Sequence, residues 1–105
     1  MSSTGLKRTL LIVYPGEYVI EEAMALAEAA GYDPVTFVSQ KYLDRAKFGI
    51  GTGKAEEVAR DTREKDVEAI IFDSGLNASQ MYNLAKLCKV EVKDREKVIL
   101  EIFAK

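Results

Sequence analysis

Apolar residues occur in short blocks that alternate with longer amphipathic stretches. Residues 9–14 form a continuous apolar run, which is typical of a central strand covered by helices on both faces. Pro15-Gly16 then turns the chain, and residues 17–30 predict a helix with Gly31 as its C-cap. The apolar positions of this helix recur at helical spacing: Ile20, Ala23, Ala27 and Ala30.

The same alternation continues after this first helix. Residues 34–40 predict a second strand, with a proline at its first residue, where a missing backbone donor is tolerated. Residues 41–52 have no clean period and predict the longest irregular segment. Residues 53–64 predict a second helix whose apolar face consists of Ala55, Val58, Ala59 and Thr62.

The third helix has the clearest start in the chain. It follows a short apolar strand at residues 69–73, and Asn77 can cap it. Gln80, three residues on, can reach back as in a capping box, while Leu76 and Met81 occupy the positions of a hydrophobic staple. The predicted buried stripe of this helix is Met81, Leu84, Ala85 and Cys88.

The last two elements are shorter. Residues 90–92 predict a strand at an edge of the sheet, and residues 95–104 fit either a strand or a helix. We favour a helix capped by Asp94, because charged residues fall four apart and leave the apolar ones together on the opposite side. The charged set is Lys97, Glu101 and Lys105, and the apolar set is Val98, Ile99, Ile102 and Phe103.

This order, βαβαβαβα, predicts an α/β fold with a small four-stranded parallel sheet, right-handed crossovers and helices on both faces. The length suits a single domain over residues 1–105, with residues 1–5 expected to fray. Parallel sheets of this kind bind ligands in the loops that follow the carboxyl ends of their strands.

The amino-acid composition limits the classes of function that the chain could perform. The chain has 15 basic and 17 acidic residues, a net charge of −2, so a uniformly basic polyanion binder is not expected. It has no histidine and a single cysteine, which disfavours a metal site and a disulfide and fits a reducing cytoplasmic location. We see no signal peptide or membrane-spanning run, and we expect no cofactor.

A glycine-rich segment, GIGTGK at residues 49–54, invites comparison with phosphate-binding loops. A P-loop has the pattern GxxxxGK[ST], but here Lys54 precedes Ala55, and Phe48 stands five positions before Gly53. A dinucleotide-binding fingerprint also fails, because Gly53 follows Gly51 by only two positions. The segment therefore predicts neither motif.

A weaker hypothesis survives for this segment. Glycines allow close backbone approach, amides at a helix start can receive an anion, and the surrounding loop contains one acidic residue, Asp44. The alternative is a solvated loop in which Glu56 and Glu57 already complement the helix dipole. The candidates for phosphate or RNA contact are Lys41, Arg45, Lys47, Gly49, Gly51, Gly53 and Lys54.

No catalytic group is predicted. Asp73 ends a strand, as the phospho-acceptor of a response-regulator receiver does, but the acidic pair and the lysine of that site are missing, so we interpret it as a turn or cap residue. Cys88 lies on an apolar stripe and is expected to be a packed thiol. The hydroxyl residues lack a histidine to activate them, and the carboxylate pairs Glu21-Glu22 and Glu56-Glu57 diverge on their helices.

Three ordered segments resemble the N-terminal domain of the HflX-type ribosome-associated GTPases. IGTGKAEEV (50–58), FDSGLNASQMYNL (72–84) and DREKVILEIFA (94–104) are similar to the family patterns IGxGKxEEL, FDxxLxPxQxxNL and DRTxLILDIFA. The first helix, ending in AGY at Tyr32, also resembles the family. Ala78, where proline is frequent, and Glu96, where threonine is usual, are mild departures.

The resemblance implies binding to the ribosome or ribosomal RNA, with no catalytic residue and no GTPase activity in these 105 residues alone, since the family's P-loop lies in a later domain. The chain stops within its last predicted helix, as a piece or a stand-alone relative of such a protein would. Two alternatives remain: a nucleotide-binding module that uses the amides near residues 51–54, and a protein-interaction module that uses the helical face near Tyr82 and Asn83.

Overall fold

The computed structural model of the chain describes residues 6–41 and 47–104. Strands and helices alternate throughout these residues. In chain order the elements are β1 (Lys7–Val13), α1 (Glu17–Ala29), β2 (Tyr32–Ser39), α2 (Thr52–Glu64), β3 (Ala69–Phe72), α3 (Ala78–Cys88), β4 (Glu91–Asp94) and α4 (Arg95–Phe103).

The four strands form one parallel sheet in the order β2-β1-β3-β4. Leu11 of the central strand β1 pairs with Phe37 of β2 on one side and with Ile71 of β3 on the other. The apolar run of β1 is buried from Leu10 to Val13 because helices cover both faces of the sheet. The predicted fold class is confirmed, as is the position of β4 at an edge.

Alternate residues of the sheet supply two separate cores. Leu10, Ile12 and Phe72 pack with α2 and α3 on one face. Leu11 and Val13 pack with α1 and α4 on the other. All four residues predicted for the apolar face of α2 are buried: Ala55, Val58, Ala59 and Thr62.

The two outer strands differ from their predicted bounds. β2 begins at Tyr32 rather than at Pro34, and the pairing of β2 with β1 is irregular just after Pro34, where Thr36 rather than the next residue faces Leu10. The proline therefore lies inside the strand, at an irregularity, where the missing amide does not break the regular ladder. β4 extends to Asp94, which also caps the following helix.

Helix starts follow the predicted chemistry where a side chain supplies it. Asn77 and Gln80 form a complete capping box at α3, with nitrogen–oxygen distances of 2.8 and 3.0 Å. Residues Arg95–Phe103 are helical, so the ambiguity of the last segment resolves as predicted. No helix in the described part of the chain is both long and apolar enough to cross a membrane.

Candidate functional site

An ion-pair network lies at the carboxyl end of β3, at the edge where a parallel sheet usually receives a ligand. The guanidinium of Arg95 donates to Asp73 Oδ1 at 2.9 Å and to Glu22 Oε1 at 2.8 Å. The Asp73 side chain is only 5% exposed. The network links the end of β3 to α1 and α4, so its role at this position is structural.

Asp73 is thus more than the turn or cap residue predicted from sequence. Burial raises the pKa of Asp73, and the hydrogen bond from Arg95 offsets part of that rise while Glu22 adds to it. The guanidinium of Arg95 bridges Asp73 and Glu22 and compensates the charge of the buried carboxylate. The signal that sequence reasoning missed is the arginine directly after the Asp94 cap.

The backbone next to this network is held by Asp94. One carboxylate oxygen accepts the amide of Lys97 at 3.0 Å, which caps α4, and the other accepts the amide of Leu76 at 3.2 Å. Asp94 is buried. The residue therefore fixes the start of α4 against the loop that leads from β3 into α3.

The first part of the glycine-rich segment, with the residue before it, is buried in the core. Phe48, Gly49 and Ile50 are buried, and Gly49 has a φ of +79°. A Cβ at Gly49 would lie 2.6 Å from Leu76 and 2.7 Å from the ring of Phe72. Glycine is required at this position by close packing and by the left-handed backbone, which gives it a role independent of any ligand.

Three of the other predicted phosphate or RNA contacts lie together at the start of α2. Gly51 caps α2, Gly53 lies in its first turn with open space around it, and Lys54 forms an ion pair with Glu57 at 3.0 Å. Lys41 and Lys47 are exposed. Arg45 lies outside the described residues. Whether any of these residues contacts an anion remains a prediction.

Lys47 is joined to α3 in a way that the sequence did not reveal. The side-chain amide of Asn83 donates to the backbone carbonyl of Lys47 at 3.1 Å. This bond helps to shape an open groove of about 460 Å³ between the loop and the helix. The residues that line the groove are Lys47, Phe48, Asn83, Lys86, Leu87 and Lys89.

Two of those lysines, Lys86 and Lys89, were absent from the predicted site. A signal was present: residues 78–89 contain no acidic residue. By contrast, α1 carries four glutamates and no basic residue, and it lies on the opposite face of the sheet. Acidic side chains are therefore concentrated on α1, whereas α3, on the other face of the sheet, carries a basic residue and no acidic one.

Neither a reactive thiol nor a metal-binding group is found among the described residues. Cys88 is buried, and burial raises the pKa of its thiol to about 11, so the thiol is protonated at neutral pH. Within residues 6–41 and 47–104, no group of three or more acidic or cysteine side chains is arranged to hold a metal ion.

These features define a small parallel α/β domain with an ion-pair network around the buried Asp73 at the end of β3 and a lysine-lined groove beside α3. Residues 17–104 match the family described as GTP-binding GTPase N-terminal, and the chain belongs to this family.

Its relatives include proteins named GTPase HflX. The chain is 42% identical over 86 residues to the one from Methanocaldococcus jannaschii, a match that covers 82% of this chain and 21% of the relative. The protein from Thermofilum pendens is 44% identical over 89 residues, covering 83% and 21%. The Escherichia coli protein is 31% identical over 86 residues, covering 81% and 20%. The chain thus spans about a fifth of the length of these relatives.

Solved structures show the same fold. A crystal structure of a complex of SsGBP and GDP has a TM-score of 0.77 and 29% identity, covering 94% of this chain and 29% of that one. A GTP-binding protein from Sulfolobus solfataricus in complex with GDP has a TM-score of 0.73 and 26% identity, covering 94% and 30%.

Proposed function

We propose that this chain is a ribosome-recognition domain of an HflX-type GTP-binding protein and that it contacts ribosomal RNA. Family membership supports the assignment to an HflX-type GTP-binding protein. The observation that supports RNA contact is that Lys47, Lys86 and Lys89 line one groove and form no ion pair with a described carboxylate, in a chain whose net charge is −2. Phosphate contacts supply much of the affinity of such interfaces.

We further propose that GTP hydrolysis is not performed by these residues alone. The match is confined to the N-terminal family, and the glycine-rich segment departs from a P-loop at both ends. Its glycine at position 49 serves packing, which leaves less of the segment open for a phosphate. Purified chain incubated with GTP should release no phosphate above the buffer rate, and release proportional to protein concentration would contradict this.

The principal test is cosedimentation with ribosomes. The chain should pellet with ribosomes at low salt and be released as salt increases, because phosphate contacts weaken with ionic strength. Replacing Lys41, Arg45, Lys47 and Lys54 together by alanine should weaken pelleting. If that variant binds fully, the loop has no part in binding, and if the wild-type chain never pellets, ribosome recognition is wrong.

The nucleotide-binding alternative is separable by calorimetry. Titration with ATP and with GTP at millimolar concentration should give no saturable heat and no thermal shift if the chain recognises RNA alone. A saturable isotherm that Gly53→Pro abolishes would favour the nucleotide-binding module, because proline removes an amide at the start of α2.

A further inference from the structure

The groove between Lys47 and α3 combines an apolar floor with a positively charged rim. Phe48 and Leu87 supply apolar surface, and Lys47, Lys86 and Lys89 contribute the charges. The Nζ atom of Lys47 lies 5.3 Å from the centre of the Phe48 ring, so this lysine covers part of the aromatic surface. A charged rim around an apolar floor suits a ligand that is itself part anion and part aromatic.

The three lysines of the rim are available for a ligand. Six ion pairs link lysine or arginine to carboxylates among the described residues, and none of them includes Lys47, Lys86 or Lys89. Helix α3 itself contains no acidic residue that could neutralise Lys86. Within residues 6–41 and 47–104, no carboxylate therefore pairs with the rim.

An exposed aromatic side chain lies next to this rim. Tyr82 is 64% exposed although it is a large aromatic residue. It precedes Lys86 by one helical turn, and the Lys86 ammonium lies 5.9 Å from the centre of its ring. Tyr82 and Lys86 are spaced i and i+4, so they form one stripe along α3 beside the groove. Lys89, the left-handed residue directly after α3, lines the same groove as Lys86.

We propose that this stripe and groove bind unpaired RNA, with a base stacked on Tyr82 and the phosphates held by Lys47, Lys86 and Lys89. Alternation of lysines with an exposed ring is the arrangement by which proteins hold single-stranded nucleic acid. An acidic protein segment would use the charges but not the ring. The inference rests on the proposed function and specifies the surface that performs it.

The test is fluorescence anisotropy with a labelled, unstructured 12-nucleotide RNA at several salt concentrations. Lys86→Ala/Lys89→Ala should weaken binding and reduce the slope of log K against log salt by about 1.4, since each phosphate contact on a single strand contributes about 0.7. Lys65→Ala/Lys97→Ala is the matched control, because it removes two exposed lysines away from the groove. The control should leave the slope unchanged.

Substitutions of Tyr82 test base stacking independently of the lysines. Tyr82→Ala should weaken RNA binding at least about fivefold, the lower end of the range for one stacked base, whereas Tyr82→Phe should bind like the wild type. Polyglutamate should compete poorly. Equal salt slopes for the lysine variant and its control, an unaffected Tyr82→Ala variant, or efficient competition by polyglutamate would each overturn the proposal.

The outcome is distinguishable from failure of the proposed function. If the chain pellets with ribosomes but has no affinity for the RNA oligonucleotide even at low salt, ribosome recognition stands and this groove is not its RNA site. Circular dichroism and thermal melts of every variant show whether each is folded. All the substituted positions are at least partly exposed, so we expect the variants to fold.

Discussion

The hydroxyl of Tyr32 lies 2.8 Å from Oε1 of Glu101, although Tyr32 begins the edge strand β2 and Glu101 belongs to the last helix. Lys93, on the opposite edge strand, donates to both of them. The tyrosine reaches across the α1/α4 face of the sheet. One hydrogen-bonded cluster therefore ties β2, β4 and α4 together.

Tyr32→Phe should destabilise the domain by about 1–2 kcal/mol, because it removes a partly buried hydrogen bond to a charged group and leaves the ring in place. The measurement is chemical denaturation followed by circular dichroism. Tyr14→Phe is the control, since Tyr14 is more than a third exposed, and it should change stability little. Equal effects of the two substitutions would contradict a tie through the Tyr32 hydroxyl.

The same cluster predicts acid sensitivity. Burial alone would raise the pKa of Glu101, but hydrogen bonds from Lys93 and Tyr32 outweigh it, so the pKa is lowered. A carboxylate with a lowered folded pKa stabilises the fold above its unfolded pKa of about 4.3, and this contribution disappears as pH falls through the folded value. The coupling energy between Lys93→Met and Glu101→Gln should therefore be favourable at pH 7 and shrink below about pH 4. A coupling energy that is constant down to pH 2.5 would contradict this assignment.

Gly49 and Gly53 form a matched pair of glycine-to-alanine tests. Gly49→Ala should cost about 2–4 kcal/mol, combining the left-handed backbone penalty with overpacking against Phe72 and Leu76. Gly53→Ala should be neutral or stabilising by up to about 1 kcal/mol, because it lies in a helix with open space around it. Urea midpoints measure both. If Gly49→Ala left the free energy of unfolding unchanged, the close packing of Gly49 against Phe72 and Leu76 would be contradicted.

Asp94→Ala should cost about 2–4 kcal/mol, since it removes the cap of α4 and leaves the Leu76 amide without its acceptor. Asp94→Asn should be intermediate, because one side-chain oxygen remains to accept a single amide. Glu96→Ala, in the exposed first turn of the same helix, should cost less than about 1 kcal/mol. Thermal unfolding of the three variants gives the order of their stabilities. If Asp94→Ala were as stable as the wild type, the role of Asp94 in holding both α4 and the Leu76 amide would be contradicted.

Local sequence chemistry was sufficient to predict most of the architecture. The apolar run in β1, the buried face of α2 and the capping box at Asn77 each depend on residues a few positions apart, so their patterns can be read directly. The bounds of β2 were predicted less well. A proline inside a strand is compatible only with an irregular pairing, and pairing is a property of two strands.

For the candidate site, the family motifs, the basic loop and the absence of acidic residues from the third helix could be identified from the order of the amino acids. Which of these residues come into contact depended on the fold. Arg95 joins Asp73 and Glu22 from different elements, Gly49 packs under Leu76, and the bond from Asn83 to Lys47 brings the lysines of the loop and α3 around one groove. The physical reason is that charge and packing act through distance in space, and residues tens of positions apart become neighbours only when the parallel sheet brings their elements together.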